Sequence, residues 1–214
     1  MYRTETAEQM LTLPSASKAS CSAAKRALDI LVSGLIILFI LPLLAAIAIA
    51  VKMSSPGPIL FRQKRNGMGC EHFTILKFRS MTVENQDHFR QATKDDCRVT
   101  PVGRFLRKTS LDELPQLFNI LRGDMSLVGP RPHALAHDDQ CRGKITDYDQ
   151  RYAIRPGLTG LAQVSGYRGE TNGMELMAER VRLDLVYIDT WSFGADLAIL
   201  AKTALVVFFQ KEAY

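Results

Sequence analysis

The sequence predicts an α+β chain, mostly helical, in which one N-terminal apolar helix packs on a small domain. Three observations carry this reading. Residues 30–51 contain no charged side chain. Two short apolar segments, 59–62 and 73–79, flank Asn66-Gly67-Met68-Gly69, the composition of a β-hairpin. Segments near 111–121, 174–189 and 193–209 carry apolar residues at helical spacing or density. With 214 residues the chain is long enough for one domain with its own core.

Residues 1–24 are polar, rich in Ser, Thr and Ala, and read as a flexible tail. Residues 25–52 are the membrane segment. Its 22 uncharged residues would extend about 33 Å as a straight helix, enough to cross a bilayer core. The run is too long, and its polar leader too extended, for a signal peptide. Lys25 and Arg26 precede it, and Lys52, Arg62, Lys64 and Arg65 follow. Positive charge on both flanks gives no inside–outside asymmetry. Pro42 lies mid-run, where it breaks or kinks a helix. A re-entrant helix–break–helix would keep both flanks in the cytoplasm, but the freed carbonyls would need partners in lipid. A spanning helix therefore stays open on these residues alone. Ser54-Ser55-Pro56-Gly57-Pro58 ends the segment, and 53–214 form the remaining domain.

In the second strand, alternation puts Lys77 and Arg79 on one face with Phe73 and Ile75. Residues 82–98 are charged without apolar period and read as a solvated helix or loop. Residues 102–108 form a basic amphipathic piece, with Phe105 and Leu106 directed at lipid. A capped helix follows and ends at Gly123. The prolines of Gly129-Pro130-Arg131-Pro132 stiffen the chain around Arg131, and Arg155-Pro156-Gly157 is a second stiff piece. The helix over 193–209 is apolar enough for a membrane surface or a core.

All of the net charge of +5 lies in the first half. Residues 52–108 alone carry 12 basic against 5 acidic side chains, which favours anionic partners such as lipid headgroups or phosphorylated substrates. No recognisable nucleic-acid module accompanies the surplus, so no nucleic-acid partner is expected. The four cysteines are scattered and mark neither a zinc site nor a disulfide framework.

The stretch T-S-L-D-E-L-P-Q-L-F-N-I-L-R-G-D, 109–124, sets Asp112 beside Glu113 at a helix entrance. Ser110-Leu111-Asp112-Glu113 matches a capping box, and acids suit the first turn of a helix. Pro115 fits that reading poorly unless Asp112 is the cap. A capping role and a chemical role are both open. Lys77, Arg79, Arg131 and Arg155 lie in stiff segments, and each suits a phosphate. Carboxylates with fixed cations point to phosphoryl transfer with a divalent metal, although each cation alone fits a surface salt bridge.

These residues lie in motifs that resemble the bacterial sugar transferase family, the monotopic polyprenyl-phosphate phosphoglycosyl transferases. The matching stretches are K-R-A-L-D at 25–29, F-T-I-L-K-F-R-S-M at 73–81 and R-V-T-P-V-G-R-F-L-R-K at 98–108. They continue with S-L-D-E-L-P-Q-L-F-N-I-L-R-G-D-M-S-L-V-G-P-R-P at 110–132 and R-P-G-L-T-G-L-A-Q-V at 155–164. The resemblance implies transfer of hexose-1-phosphate from a UDP-hexose to undecaprenyl phosphate. UMP is released, through a covalent aspartyl phosphosugar, in the first membrane step of exopolysaccharide synthesis.

By matching position, the resemblance makes Asp112 the nucleophile and Glu113 its partner, both holding Mg²⁺ or Mn²⁺. It makes Lys77, Arg131 and Arg155 phosphate or nucleotide ligands, and Asp184 a further acidic site position. It also implies a re-entrant helix broken at Pro42, a bacterial inner-membrane location with the domain on the cytoplasmic face, contact with anionic lipid, and leaves a homo-oligomer open. Leu161 departs from the family's frequent tryptophan. The chain looks like the short form, without additional N-terminal helices. Tyr167-Arg168-Gly169-Glu170-Thr171 and Ala213-Tyr214 look most like members that transfer glucose- or galactose-phosphate. A UDP-N-acetylhexosamine donor and an inactive membrane scaffold are the alternatives.

Overall fold

The computed structural model describes residues 14–82, 96–169 and 173–209. Most of the 82–98 loop and Ala213-Tyr214 lie outside the described residues. The first element is not loose. Pro14–Cys21 form helix α1, with Ala19 in the core and Ser20 Oγ donating to Ala153 O at 3.1 Å. Residues 1–13 lie outside the described chain.

Helix α2 runs Ala23–Ser54, capped by Ser22, whose side chain accepts from Lys25 N. Pro42 lies inside it, and helix continues on both sides, so the break expected there does not divide the element. The K-R-A-L-D stretch explains how its start is held. Lys25 Nζ reaches Asp196 Oδ2 at 2.7 Å and Val128 O at 2.9 Å. Arg26 donates to Ile120 O and Leu121 O at 2.6 and 2.8 Å. Asp29 Oδ1 accepts from Leu127 N and Ser126 Oγ. Lys25 and Arg26 are therefore spent on the domain and do not act as headgroup charges. The other end is held too: Leu44, Ile47 and Val51 pack with Phe78 and Leu106. Between these anchors Leu31, Leu38 and Phe39 are 64, 67 and 80 % exposed, an apolar surface with no protein cover.

Strands β1 (Leu60–Asn66) and β2 (His72–Phe78) pair antiparallel, with Phe61 opposite Lys77, across a short 3-10 turn at Met68–Cys70. Helix α3 (Pro101–Thr109) is amphipathic, but its lipid face is narrower than expected. Phe105 is 60 % exposed, whereas Leu106, one residue and about 100° further round, is buried against α2. A 3-10 turn at Leu111–Glu113 leads into α4 (Gln116–Arg122). Gly123 ends α4 in the left-handed region, φ +93°, as expected.

Strands β3 (Ser126–Val128) and β4 (Gly157–Thr159) pair in parallel. Around them the V-G-P-R-P and R-P-G-L-T-G stretches touch backbone to backbone. A Cβ on Gly157 would meet Gly129 N at 2.1 Å, so both positions need the bare glycine. Short helices α5 (Leu135–Cys141) and α6 (Leu161–Val164) and a 3-10 segment at Tyr148–Ala153 lead to α7 (Met174–Asp189) and α8 (Phe193–Phe209). The last two match the bounds the periodicity predicts. Ile120, Met125, Ile154, Val181 and Ile188 form the centre of the core. Helix α8 divides its faces: Ile199 is buried, while Leu197 and Leu205 are exposed.

Candidate active site

The acid pair sits in the turn between α3 and α4. Ser110 does not build the capping box. Its backbone is left-handed, φ +57°, whereas a helix cap is extended. Its hydroxyl accepts from Arg168 Nη2 at 2.9 Å instead. A non-glycine residue held there costs of order 1–3 kcal/mol, and such strain concentrates at sites where geometry matters. The single capped helix expected from Ser110 onward is therefore two elements, and Pro115 falls just before α4, where its missing N–H costs nothing.

Glu113 turns toward the hairpin. Lys77 Nζ donates to its Oε1 at 2.8 Å, and Arg131 grips both oxygens, Nη2 to Oε1 at 2.5 Å and Nη1 to Oε2 at 3.1 Å. Burial raises the cost of this carboxylate's charge, but Arg131 and Lys77 outweigh it and hold Glu113 well below the usual carboxylate range. Asp112, one residue earlier, accepts no hydrogen bond from the described residues. Burial first, and the neighbouring Glu113 charge second, push it up to about 6, against the pull of Lys77, Arg131 and Arg107. Two adjacent acids are thus driven apart. Glu113 is a fixed anion inside a cationic clamp, and Asp112 is an open carboxylate that titrates near neutrality.

Three devices set this geometry. Asn119, buried on α4, accepts from Leu76 N at 3.0 Å and donates to Thr74 O at 2.8 Å, locking β2 and hence Lys77 to the acid turn. Gly157 N donates to Pro130 O at 2.9 Å on one side of Arg131. Arg151 Nη2 donates to the carbonyl of Arg131 itself at 2.7 Å.

Asp112, Glu113, Lys77 and Arg131 are brought together. Arg79 is not among them: its guanidinium donates to Val51 O and to Ser55 O and Oγ, closing the C-terminus of α2 where the helix dipole favours a cation. Arg155 likewise lies on the end of α4, Nε to Gly123 O at 3.0 Å, beside Arg26. Asp184 is buried in an ion pair with Arg151 at 2.7 Å, beneath Arg131. Sequence reasoning missed Asn119 and Arg151, because both act on backbone atoms and neither belongs to a charge pattern. In the sequence Arg168 stands out only as part of a donor-type motif.

Among the described residues no group of three or more acidic, His or Cys side chains forms a metal cluster. The donors instead comprise one carboxylate with open oxygens, Asp112, beside one whose oxygens are taken by Lys77 and Arg131. Mg²⁺ is commonly held by one or two carboxylates with substrate phosphates and water, so Asp112 fits such an ion while Glu113 is already occupied.

The bacterial sugar transferase family matches residues 20–210. The chain is 54 % identical over 191 residues to a UDP-glucose:undecaprenyl-phosphate glucose-1-phosphate transferase of Klebsiella pneumoniae, covering 89 % of this chain and 41 % of that protein. It is 53 % identical to a protein of the same description from Escherichia coli strain K12, with the same coverage, 89 % and 41 %. A third protein so described, from Caulobacter vibrioides, is 52 % identical, covering 89 % of this chain and 72 % of the relative. The chain thus spans about two fifths of the length of the first two relatives. With nearly its whole length matched, this chain belongs to the bacterial sugar transferase family.

Proposed function

We propose that the chain is a membrane-bound phosphoglycosyl transferase that moves glucose-1-phosphate from UDP-glucose to undecaprenyl phosphate and releases UMP, the first membrane step of an exopolysaccharide. The observation that carries this is the split pair: an open Asp112 against a Glu113 clamped by Lys77 and Arg131. The named activities of the three relatives support the donor and the lipid acceptor.

In the reaction, an Asp112 oxygen attacks the sugar-bearing phosphorus of UDP-glucose. The bond from that phosphorus to the bridging oxygen breaks, and UMP leaves with its electron pair. A phosphate oxygen of the lipid then attacks the aspartyl phosphosugar, the acyl–phosphate bond breaks, and Asp112 returns as a carboxylate. Lys77 and Arg131 hold Glu113 ionised and set a positive field where phosphate charge develops. Asp112 is the residue that would hold Mg²⁺ or Mn²⁺, and the ion would supply neutralisation of diphosphate charge there.

The anchors at both ends of α2 support a re-entrant placement. Lys25 and Asp29 at one end and Val51 at the other bind the same domain, while the middle is bare and apolar. A straight crossing would separate those ends by the bilayer's roughly 30 Å core. Exposed Lys52, Arg62, Lys64, Arg104 and Lys108 accompany exposed Met53, Phe61 and Phe105, a composition suited to the anionic cytoplasmic face of a bacterial inner membrane.

The test is UMP release by detergent-solubilised protein given UDP-glucose, undecaprenyl phosphate and Mg²⁺. Lipid-dependent release is expected. Folded protein that releases no UMP with any UDP-sugar sinks the reading. The pH profile is a second expectation. Asp112 sits above its ordinary value, so its reactive carboxylate is lost as pH falls through about 6. kcat/KM is expected to be flat above that value and to fall about tenfold per unit below it. A profile flat to pH 5 would remove Asp112 as the titrating nucleophile.

A further inference from the structure

A further cation lies beside the clamp without a carboxylate of its own. Arg65, near the end of β1, donates from Nη1 to Pro132 O at 3.3 Å and from Nη2 to Gln63 Oε1 at 2.6 Å. Its backbone bridges to Ala134. These contacts set its guanidinium against the segment that carries Arg131. Among the described residues, no carboxylate lies within salt-bridge distance of it. Lys77 and Arg131 share Glu113, and Arg151 has Asp184. Arg65 Nε is buried and bonded to nothing.

Placing a desolvated guanidinium next to a second one is unfavourable in the free protein. Burial, and then the charge of Arg131, pull Arg65 down to about 10, against the opposing pull of the more distant Asp138 and Glu113. A charge kept at such a cost, with a donor unspent, is the mark of a site completed by an anion. The unspent Arg65 Nε–H, beside the positive charge of Arg131, suits the oxygens of a phosphate.

We propose that Arg65 and Arg131 together bind a substrate phosphate group, with Arg65 supplying a cation that, among the described residues, has no carboxylate within salt-bridge distance. The proposal rests on the reading of the site as one for phosphate transfer. The phosphate comes from the nucleotide donor or from the polyprenyl phosphate, and the test separates the two.

Affinity is measured by calorimetry on the solubilised full chain for two probes, UDP and farnesyl phosphate in matched detergent. The proteins are wild type, Arg65→Met, Arg65→Lys and, as a distant surface control, Arg182→Met. Arg65→Met is expected to weaken one probe at least tenfold, and that probe names the source. Arg65→Lys keeps the charge but loses the fork, and falls between. Arg182→Met binds as wild type. If both probes bind Arg65→Met within twofold of wild type, Arg65 only props Pro132 and the proposal is overturned. If Arg65→Met fails to fold by circular dichroism, Arg65→Lys decides alone, and unchanged affinity for both probes again overturns it. Wild type that binds neither probe also overturns it, although lipid-dependent UMP release would still leave the enzyme reading intact. The converse, a probe lost in Arg65→Met with no UMP release by wild type, keeps this site and removes the proposed reaction.

Discussion

Asp112→Asn is expected to abolish UMP release while leaving the protein as stable as wild type or more so. The amide cannot attack phosphorus, so kcat should fall by roughly 10⁴-fold or more, the scale of removing a covalent nucleophile. The stability half follows from the sign of the shift. In the folded chain Asp112 titrates near 6, above the ordinary carboxyl value of 3.8. Between those two pH values the native state holds more protons than the unfolded one, so stability falls as pH rises through the window. At neutral pH the ionised acid is a net cost that the amide does not carry. Glu113→Gln should behave in the opposite way. Its carboxylate is held low by Arg131 and Lys77, so the native state is favoured above the usual carboxyl range, and neutralising it leaves two part-buried cations without their shared anion. Thermal melts of both variants at pH 7.5, beside the UMP assay, check this. An Asp112→Asn protein that melts well below wild type would mean that the acid is structural, as a capping role requires.

Much of the fold was legible because periodicity and punctuation report it directly. The bounds of α7 and α8, the hairpin around Asn66-Gly67 and the stop at Gly123 all follow from spacing and turn chemistry. The acid pair stood out for the same reason, as two carboxylates at an abrupt helix entrance. What spacing does not carry is pairing. Ser110 and Glu113 have the right offset for a capping box, yet Lys77 from β2 and Arg131 from beyond β3 offer Glu113 more than one backbone N–H does. Arg79 and Arg155 were legible as cations in stiff segments. Their destinations, the carbonyl ends of α2 and α4, depend on tertiary contacts that no local pattern encodes. Lys25 and Arg26 show the same limit. Beside an apolar run they read as interface charges, but buried acceptors at Asp196, Val128 and Ile120 claim them.

Asp184 is the sharpest instance, and its substitution has the largest expected effect on stability. The resemblance places an acid of the site there, and the structure sets it behind Arg151, which stands between it and Arg131. Its carboxylate pairs with Arg151, which is fully buried, and Arg151 in turn holds the carbonyl of Arg131 and lies 2.6 Å from His133 Nδ1. Burial and the adjoining cations keep His133 well below its ordinary range, so it stays neutral and cannot offset the arginine's charge by losing a proton. Asp184→Asn therefore leaves Arg151 buried without the carboxylate it pairs with, and only the more distant Asp138 charge still acts on it. Breaking a buried pair from one side costs about 3–5 kcal/mol. For a chain of this size each kcal/mol lowers the melting temperature by about 2–4 °C, so a loss of roughly 6–20 °C is expected. The double variant Arg151→Met/Asp184→Leu separates the two roles of the pair. Apolar side chains of similar volume should recover most of that loss, because the desolvation cost of both charges disappears with them. Activity should stay low in the recovered protein, because the Arg131 carbonyl has lost its donor and the guanidinium over Glu113 is no longer fixed. A double variant that regains both stability and UMP release would mean that the pair only fills space beneath the site. One that regains stability alone assigns it to holding Arg131 in place.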